Sequence, residues 1–266
     1  MKQVPAIIVG FALVCLLCGA CLVAVVDYSD HGASPGEEVN RVLPFAAGGR
    51  LSLRNYDGEI RIAGWGEEEI DVSALTWRAP RDRTSVTFMK RNIPGAPRVE
   101  IEEREGGVRI RTLAPERSEE DVIVDYEISV PHSVDLNDIT ARDGLVHLQD
   151  IYGEARVELR VGEIQADNFS GSLDASLMEG SIQADLYDLR ESDRVRLKVR
   201  EGDIFVILDP DADVTLEGYC PDGDVTTDFE FDQPGEKDRF TSEIGDGGAV
   251  INLSVLVGNI TIERRR

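Results

Sequence analysis

The amino-acid sequence predicts an all-β protein, a single-domain β-solenoid of stacked two-strand coils with 18–22 residues per coil, behind one N-terminal transmembrane helix. Three observations predict this class. An uncharged apolar run opens the chain, apolar and polar residues alternate after it without a helical period, and glycines recur at nine-residue steps. We therefore divide the chain into an anchor (1–26), a polar linker (27–44) and an extracytoplasmic solenoid domain (45–266).

The predicted anchor is the run from Val4 to Val26, which holds 23 residues without a charge. As a helix it would be about 34 Å long, enough to cross a hydrocarbon core of about 30 Å. Lys2 precedes the run, whereas Asp27 and Asp30 follow it. This asymmetry predicts a single-pass protein of the cell membrane, with the C-terminal domain outside the cytoplasm.

Cys21 offers an alternative form of attachment. The preceding residues CGA (18–20) resemble a bacterial lipoprotein signal, with small residues directly before the cysteine. The pattern lacks the usual leucine at Cys18, and the apolar run continues five residues beyond Cys21. We expect an uncleaved helix, with lipid attachment at Cys21 as the alternative, and either one tethers the chain to a membrane.

The linker and the strands follow from local composition. DYSDHGASPGEEVNRV (27–42) is polar and contains glycine, proline and serine, which is typical of a linker. From Phe45 onward, segments such as VRLKVR and DIFVIL alternate apolar and polar residues, which indicates strands with one buried face. The sequence thus predicts β-structure almost throughout 45–266.

The glycine repeat predicts how these strands are arranged. GEIQAD begins at Gly162, GSIQAD begins 18 residues later at Gly180, and GSLDAS begins midway at Gly171. Nine residues fit one short strand and a tight turn, so two such units make one coil. GSIQAD should then stack on GEIQAD about 4.8 Å away, with GSLDAS in the opposite wall.

Recurring alanines predict a flat interior. Ala166, Ala175 and Ala184 occupy the middle of the inward face of successive strands, which suits two sheets about 10 Å apart. A β-sandwich of ordinary hairpins is the alternative, mainly for residues 45–130.

The same register predicts an outer contact face. Gln165 should stack on Gln183, while Phe205 and Ile207 alternate with inward residues and should point outward. We take these four as candidate contact residues, although cover by residues 187–194 is the simpler expectation for the two apolar side chains. Asp167 and Asp185 should also be neighbours, screened by solvent or bridged by a cation.

The sequence contains no pattern of catalytic or metal-binding residues. Its three histidines are His31, His132 and His147, and no HExxH, GxSxG or P-loop motif is present. DPDADV (209–214) begins like a calcium loop, but Val214 stands where that loop requires glycine, so we expect a turn. We predict no enzyme activity, cofactor or metal.

The net charge limits the classes of possible partner, and the cysteine count limits the possible disulfides. The 51 acidic residues outnumber the 28 lysines and arginines, and the formal charge of −23 argues against nucleic acid as a partner. Cys220 is the only cysteine after the anchor, which excludes a disulfide within the domain and predicts a free or buried thiol.

Two segments resemble a known family. LSLRNYDGEIRIAGWGEEEIDVSA (51–74) and VDYEISVPHSVDLNDITARDGLVHLQDIYGEARVELRVGEIQAD (124–167) resemble bacterial "putative adhesin" domains of the DUF4097 type. The matching positions include Gly58, Ile60 and Trp65, then Tyr126 and Pro131, then the glycine ladder, and they cover roughly 45–262. The resemblance implies a β-solenoid-like fold and a location in the envelope, often behind one anchoring helix, without an established activity.

These observations favour a non-catalytic, membrane-anchored binding or structural module of the cell envelope. A ladder of strands offers a broad, rigid surface, which suits an envelope protein or a glycan as partner. The alternatives are a carbohydrate-active enzyme on a β-helical scaffold and a self-assembling envelope scaffold, since open solenoid ends can stack.

Overall fold

The structure, a computed structural model, describes residues 34–78, 97–114, 122–229 and 238–266. These residues form sixteen β-strands, and none of them lies in an α-helix. The strands are β1 Ser34–Pro44, β2 Gly49–Arg54, β3 Asp57–Trp65, β4 Glu69–Arg78, β5 Arg98–Arg104, β6 Gly107–Leu113, β7 Val122–Pro131 and β8 Val134–Gln149. They continue with β9 Ala155–Phe169, β10 Leu173–Leu186, β11 Arg194–Leu208, β12 Val214–Tyr219, β13 Val225–Thr227, β14 Arg239–Ile244, β15 Ala249–Val257 and β16 Ile260–Arg264.

The strands stack into two walls, because β8, β9, β10 and β11 each turn a corner and contribute one half to each wall. The first wall contains, in order, β1, β4, β7, β3, the second halves of β8 to β11, β16 and β13. The second wall contains β5, β6, β2, the first halves of β8 to β11, β15, β12 and β14. This is the predicted solenoid of two-strand coils.

The register confirms the stacking of the two repeated segments. Gly162 pairs with Gly180, and Gln165 pairs with Gln183, in parallel strands of the first wall. The GSLDAS strand lies in the second wall, where Ala175 pairs with Val157. GSIQAD therefore stacks directly on GEIQAD in the next coil, and GSLDAS lies in the opposite wall, as predicted.

One corner of the solenoid is lined by a column of glycines. These residues are Gly58, Gly144, Gly162, Gly180, Gly202 and Gly258, and consecutive members stack on one another. At Gly180 the backbone has φ +128°, and a Cβ atom there would overlap the carbonyl oxygen of Gly162. The corner thus combines a positive φ with a close backbone approach, and both require glycine.

Coil order in space differs from coil order in sequence at both ends. The coil of β6 and β7 lies outside the coil of β2 and β3, and the coil of β12 and β13 lies outside that of β15 and β16. Parallel coils therefore extend through the region before Pro131, and the β-sandwich alternative for 45–130 is wrong. Antiparallel strands are added beyond these end coils, namely β4 with β1, β5 and β14.

The predicted linker ends earlier than expected. Ser34–Pro44 form β1, which pairs antiparallel with β4 over nearly its whole length. The boundary at residue 44 is therefore wrong, because backbone pairing with a distant strand orders a segment whose composition is typical of a linker. Leu43 and Phe45 are buried in the core at this end.

Inward side chains from both walls form one continuous apolar core. Ala166, Ala175 and Ala184 are each 0% exposed, as expected for the narrow interior. A polar network lies inside this core near the N-terminal end. The Thr112 hydroxyl donates to Asn55 Oδ1 at 2.8 Å and lies 2.7 Å from the Tyr126 hydroxyl, so these buried groups satisfy one another.

The transmembrane prediction concerns residues 4–26, which lie outside the described residues, as does Cys21. Within the described ranges, no helix is long and apolar enough to cross a membrane.

Candidate binding surfaces on the two walls

The outer face of the first wall brings together the four residues predicted to make contacts. Gln165, Gln183 and Phe205 lie in one row across β9, β10 and β11, because each pairs with the next. Ile207 points to the same side two residues beyond Phe205 and pairs with Asp185. Their place on one outer face is as predicted, and their role in binding stays a prediction.

Each of the predicted aspartate neighbours, Asp167 and Asp185, has a nitrogen-bearing side chain of the chain itself beside it. His147 Nε2 lies 2.8 Å from an Asp167 carboxylate oxygen. Arg265 lies between two carboxylates, 2.6 Å from Asp185 and 2.8 Å from Asp209. Burial raises the pKa of Asp185, Arg265 opposes that shift, and Asp167 and Asp209 add to it. Side chains of the protein, rather than solvent alone, thus offset the repulsion between the carboxylates of Asp167 and Asp185.

Residues 187–194 leave Phe205 exposed, with an exposed fraction of 41%. Tyr187 instead packs edge-on against Tyr152 at 5.7 Å, and Tyr152 stacks on His132 at 4.9 Å. The Arg265 guanidinium lies 5.9 Å from the Tyr187 ring centre. The predicted intramolecular cover is therefore wrong for Phe205, because Tyr187, the first residue of the segment 187–194, joins an aromatic column instead.

The second wall carries a feature that the sequence analysis missed. The first half of β11 exposes four cations in alternation with buried Val195, Leu197 and Val199. These cations are Arg194, Arg196, Lys198 and Arg200, and we call them the basic row. The alternation is visible in the sequence RVRLKVR. Which side chains of β10 and β15 lie beside the cations becomes known only from the strand register.

Two grooves flank the basic row on the outer face of the second wall. One has a volume of about 590 Å³, and its lining includes Arg50 and Arg156 together with three carboxylates, Asp135, Glu154 and Asp174. The other has a volume of about 400 Å³, and its lining includes Arg239 and one carboxylate, Glu217. Arg196 and Asn252 line both grooves. The grooves therefore meet at the basic row.

The remaining sequence candidates have structural roles. Residues 209–213 form the predicted turn, in which the Ala212 amide donates to the Asp209 carbonyl at 3.1 Å. Cys220 is a free, buried thiol whose Sγ donates to the Gly258 carbonyl at 3.3 Å, and burial raises its pKa. The parts of the chain that the structure describes contain no group of side chains suited to hold a metal.

Comparison with solved structures agrees with this architecture. The chain is similar to a "putative cell adhesion protein" from Clostridium sporogenes, with 15% identity and a TM-score of 0.52, over 87% of this chain and 100% of that one. It also matches a "putative adhesin" from Bacteroides fragilis, with 10% identity and a TM-score of 0.28, over 86% and 97% of the two chains. Only the TM-score of the Clostridium sporogenes protein indicates a shared fold.

No curated protein matches the sequence. The profile of the Toastrack DUF4097 family, however, matches residues 49–263, which include nearly all of both walls. The chain therefore belongs to the Toastrack DUF4097 family.

Proposed function

We propose that this protein is a non-catalytic binding module of the cell envelope, anchored to the membrane by its N-terminal segment, with the solenoid on the extracytoplasmic side. An envelope protein or a glycan is the partner that suits the first wall. The name given to the Clostridium sporogenes protein supports an adhesive role. The apolar run at Val4–Val26 supports the anchor.

The observation that carries this proposal is the row of Gln165, Gln183 and Phe205 on the outer face of the first wall. Backbone pairing fixes all three on adjacent strands, so little conformational freedom is lost when a partner binds. Amide groups beside an exposed aromatic ring combine hydrogen bonding with apolar contact, which is typical of the centre of a binding surface.

Self-assembly through the solenoid ends is less well supported. Among the described residues, three of the four strands that end the two walls, β1, β5 and β14, pair antiparallel with their neighbours. Only the three-residue strand β13 pairs parallel with its neighbour, so a second copy has little parallel ladder to continue.

Phe205→Asp is expected to weaken retention of the full-length protein on isolated envelopes of the source organism. Loss of an aromatic contact at the centre of an interface costs more than 1 kcal/mol, or about fivefold or more in affinity. The matched control is Val42→Asp, because Val42 is 55% exposed and lies on β1, seven strands away from Phe205 and remote from the basic row. Co-sedimentation over a range of envelope concentrations measures the effect.

Equal retention of Phe205→Asp and wild type, or equal loss in both variants, would refute a binding role for the row of Gln165, Gln183 and Phe205. The same membrane preparation tests the anchor. An uncleaved helix leaves the N-terminal residues on the recovered protein, whereas a lipoprotein begins at a modified Cys21.

A further inference from the structure

The basic row concentrates positive charge on one strand of a strongly acidic protein. Residues two apart in a strand are separated by about 6.6 Å, so the four cations from Arg194 to Arg200 extend over about 20 Å. The chain as a whole has a formal charge of −23. A row of like charges is unfavourable in the isolated protein, which favours a role in binding.

Neighbouring strands neutralise little of this charge. Asp174 on β10 pairs with Arg196, and the other outward neighbours in register with the row are uncharged. These uncharged neighbours are Ser176, Val250, Asn252 and Ser254. Arg196 lies 3.3 Å from Asp174, and that carboxylate is shared with Arg156 at 3.9 Å. One carboxylate thus faces two guanidinium groups.

The other three cations keep most of their capacity to bind an anion. Arg194 donates to the backbone carbonyls of Glu191 and Asp193, which orients its guanidinium without neutralising its charge. Among the described residues Lys198 has no ion-pair partner. Arg200 pairs with Glu201 at 2.8 Å, but both side chains are about half exposed, so this pair is weak.

We propose that the basic row binds a linear polyanion, a hydroxyl-bearing polymer with a phosphate or carboxylate on each repeat. This inference rests on the proposed function, because an extracytoplasmic domain would meet such polymers in the envelope. The grooves on both sides of Arg196 give the polymer room beside Arg194, Arg196 and Lys198. Asn252, Ser254 and Ser176 place hydrogen-bonding groups beside the cations, where polymer hydroxyls would lie.

The arrangement favours a chain over a membrane surface. The cations follow one line, and their spacing of about 6.6 Å suits successive charged repeats of an extended polymer. A membrane surface is recognised by a broad basic patch, often with apolar side chains that insert between lipids. The side chains beside Arg196 and Lys198 are polar, whereas exposed apolar side chains, Met178 and Leu256, lie only at the Arg200 end of the row.

Direct binding to defined polymers tests the proposal. The full-length protein, purified in detergent, is titrated with poly(glycerol phosphate), polygalacturonate and neutral dextran. We expect binding to at least one of the two polyanions and none to dextran. With three or four neutralised charges and a slope of about −0.7 per charge, as for a single strand, affinity should fall about 20–50-fold between 50 and 200 mM salt, because bound counterions are released.

A double variant, Arg196→Gln with Lys198→Gln, should bind the polyanion about tenfold more weakly or worse. The control is Arg61→Gln with Arg41→Gln, which removes the same net charge from the first wall and should change affinity less than about twofold. All four positions are partly or fully exposed, and unchanged melting temperatures confirm that both variants fold.

Three results would overturn the proposal. These are absence of polyanion binding at low salt, equal weakening in both double variants, and binding only to vesicles of phosphatidylglycerol and not to either polymer. None of them bears on the Phe205 experiment, so failure here is distinguishable from failure of the proposed function.

Discussion

Gly180→Ala is expected to lower the free energy of unfolding by about 3–5 kcal/mol, or to prevent folding. Two effects add at this position. The backbone has φ +128°, which strains any residue with a Cβ atom, and that atom would overlap the carbonyl oxygen of Gly162. Since Gly162 belongs to the neighbouring coil, relief of the overlap requires two coils to separate locally. Denaturant titration followed by circular dichroism measures the loss.

Two other glycines separate the contributions to that loss. Gly66→Ala should be nearly neutral, because its Cβ would meet nothing within 4 Å and its φ is not positive. Gly106→Ala should cost about 1–2 kcal/mol, because φ is +76° but the space is open. If Gly180→Ala costs no more than Gly106→Ala, the close approach of the two coils is refuted.

Ala175→Leu is expected to cost about 1–3 kcal/mol through overpacking of the core. Ala175 is 0% exposed, lies between inward Leu173 and Leu177, and pairs with Val157 and Leu197 on the adjacent strands. Three additional carbon atoms would therefore have to fit into space that is already filled.

The adjacent residue supplies the control. Ser176 points outward, so Ser176→Leu should change stability by less than about 0.5 kcal/mol. Denaturant midpoints of the two variants decide the matter. An equal loss in both, or a larger loss for Ser176→Leu, would mean that the assigned inward and outward faces are reversed.

The central coils could be predicted because each one repeats a local pattern. A glycine at the corner and apolar residues at alternate positions recur in GEIQAD and GSIQAD, and the observed register follows from that periodicity. The terminal regions could not be predicted in the same way. The coil of β6 and β7 lies outside the coil that precedes it in sequence, and no local signal specifies pairing between such distant segments.

The candidate surfaces were predictable to different degrees. Outward positions such as Gln165 and Phe205 follow from alternation alone. The basic row is also visible as alternation, but an isolated set of outward cations is usually a solvated surface. Its significance depends on which side chains β10 and β15 place beside it. Likewise, the contacts of Arg265 with Asp185 and Asp209 join parts of the chain that sequence spacing does not connect.

Both proposed surfaces exist only if each successive coil adds one strand to each wall. Arg54 on β2 and Ser254 on β15 lie in one outward row of the second wall, connected in register through Thr140, Glu158, Ser176 and Lys198. Five strand spacings separate them, so their backbones should be about 24 Å apart.

Double electron–electron resonance between spin labels at these two positions measures that separation most directly. The full-length protein would carry Arg54→Cys and Ser254→Cys in a background without its four native cysteines. The stacked solenoid predicts one narrow distribution near 24 Å, broadened by the length of the labels. A distribution centred above about 35 Å, or several separate distances, would contradict the stacking of coils and the two surfaces that depend on it.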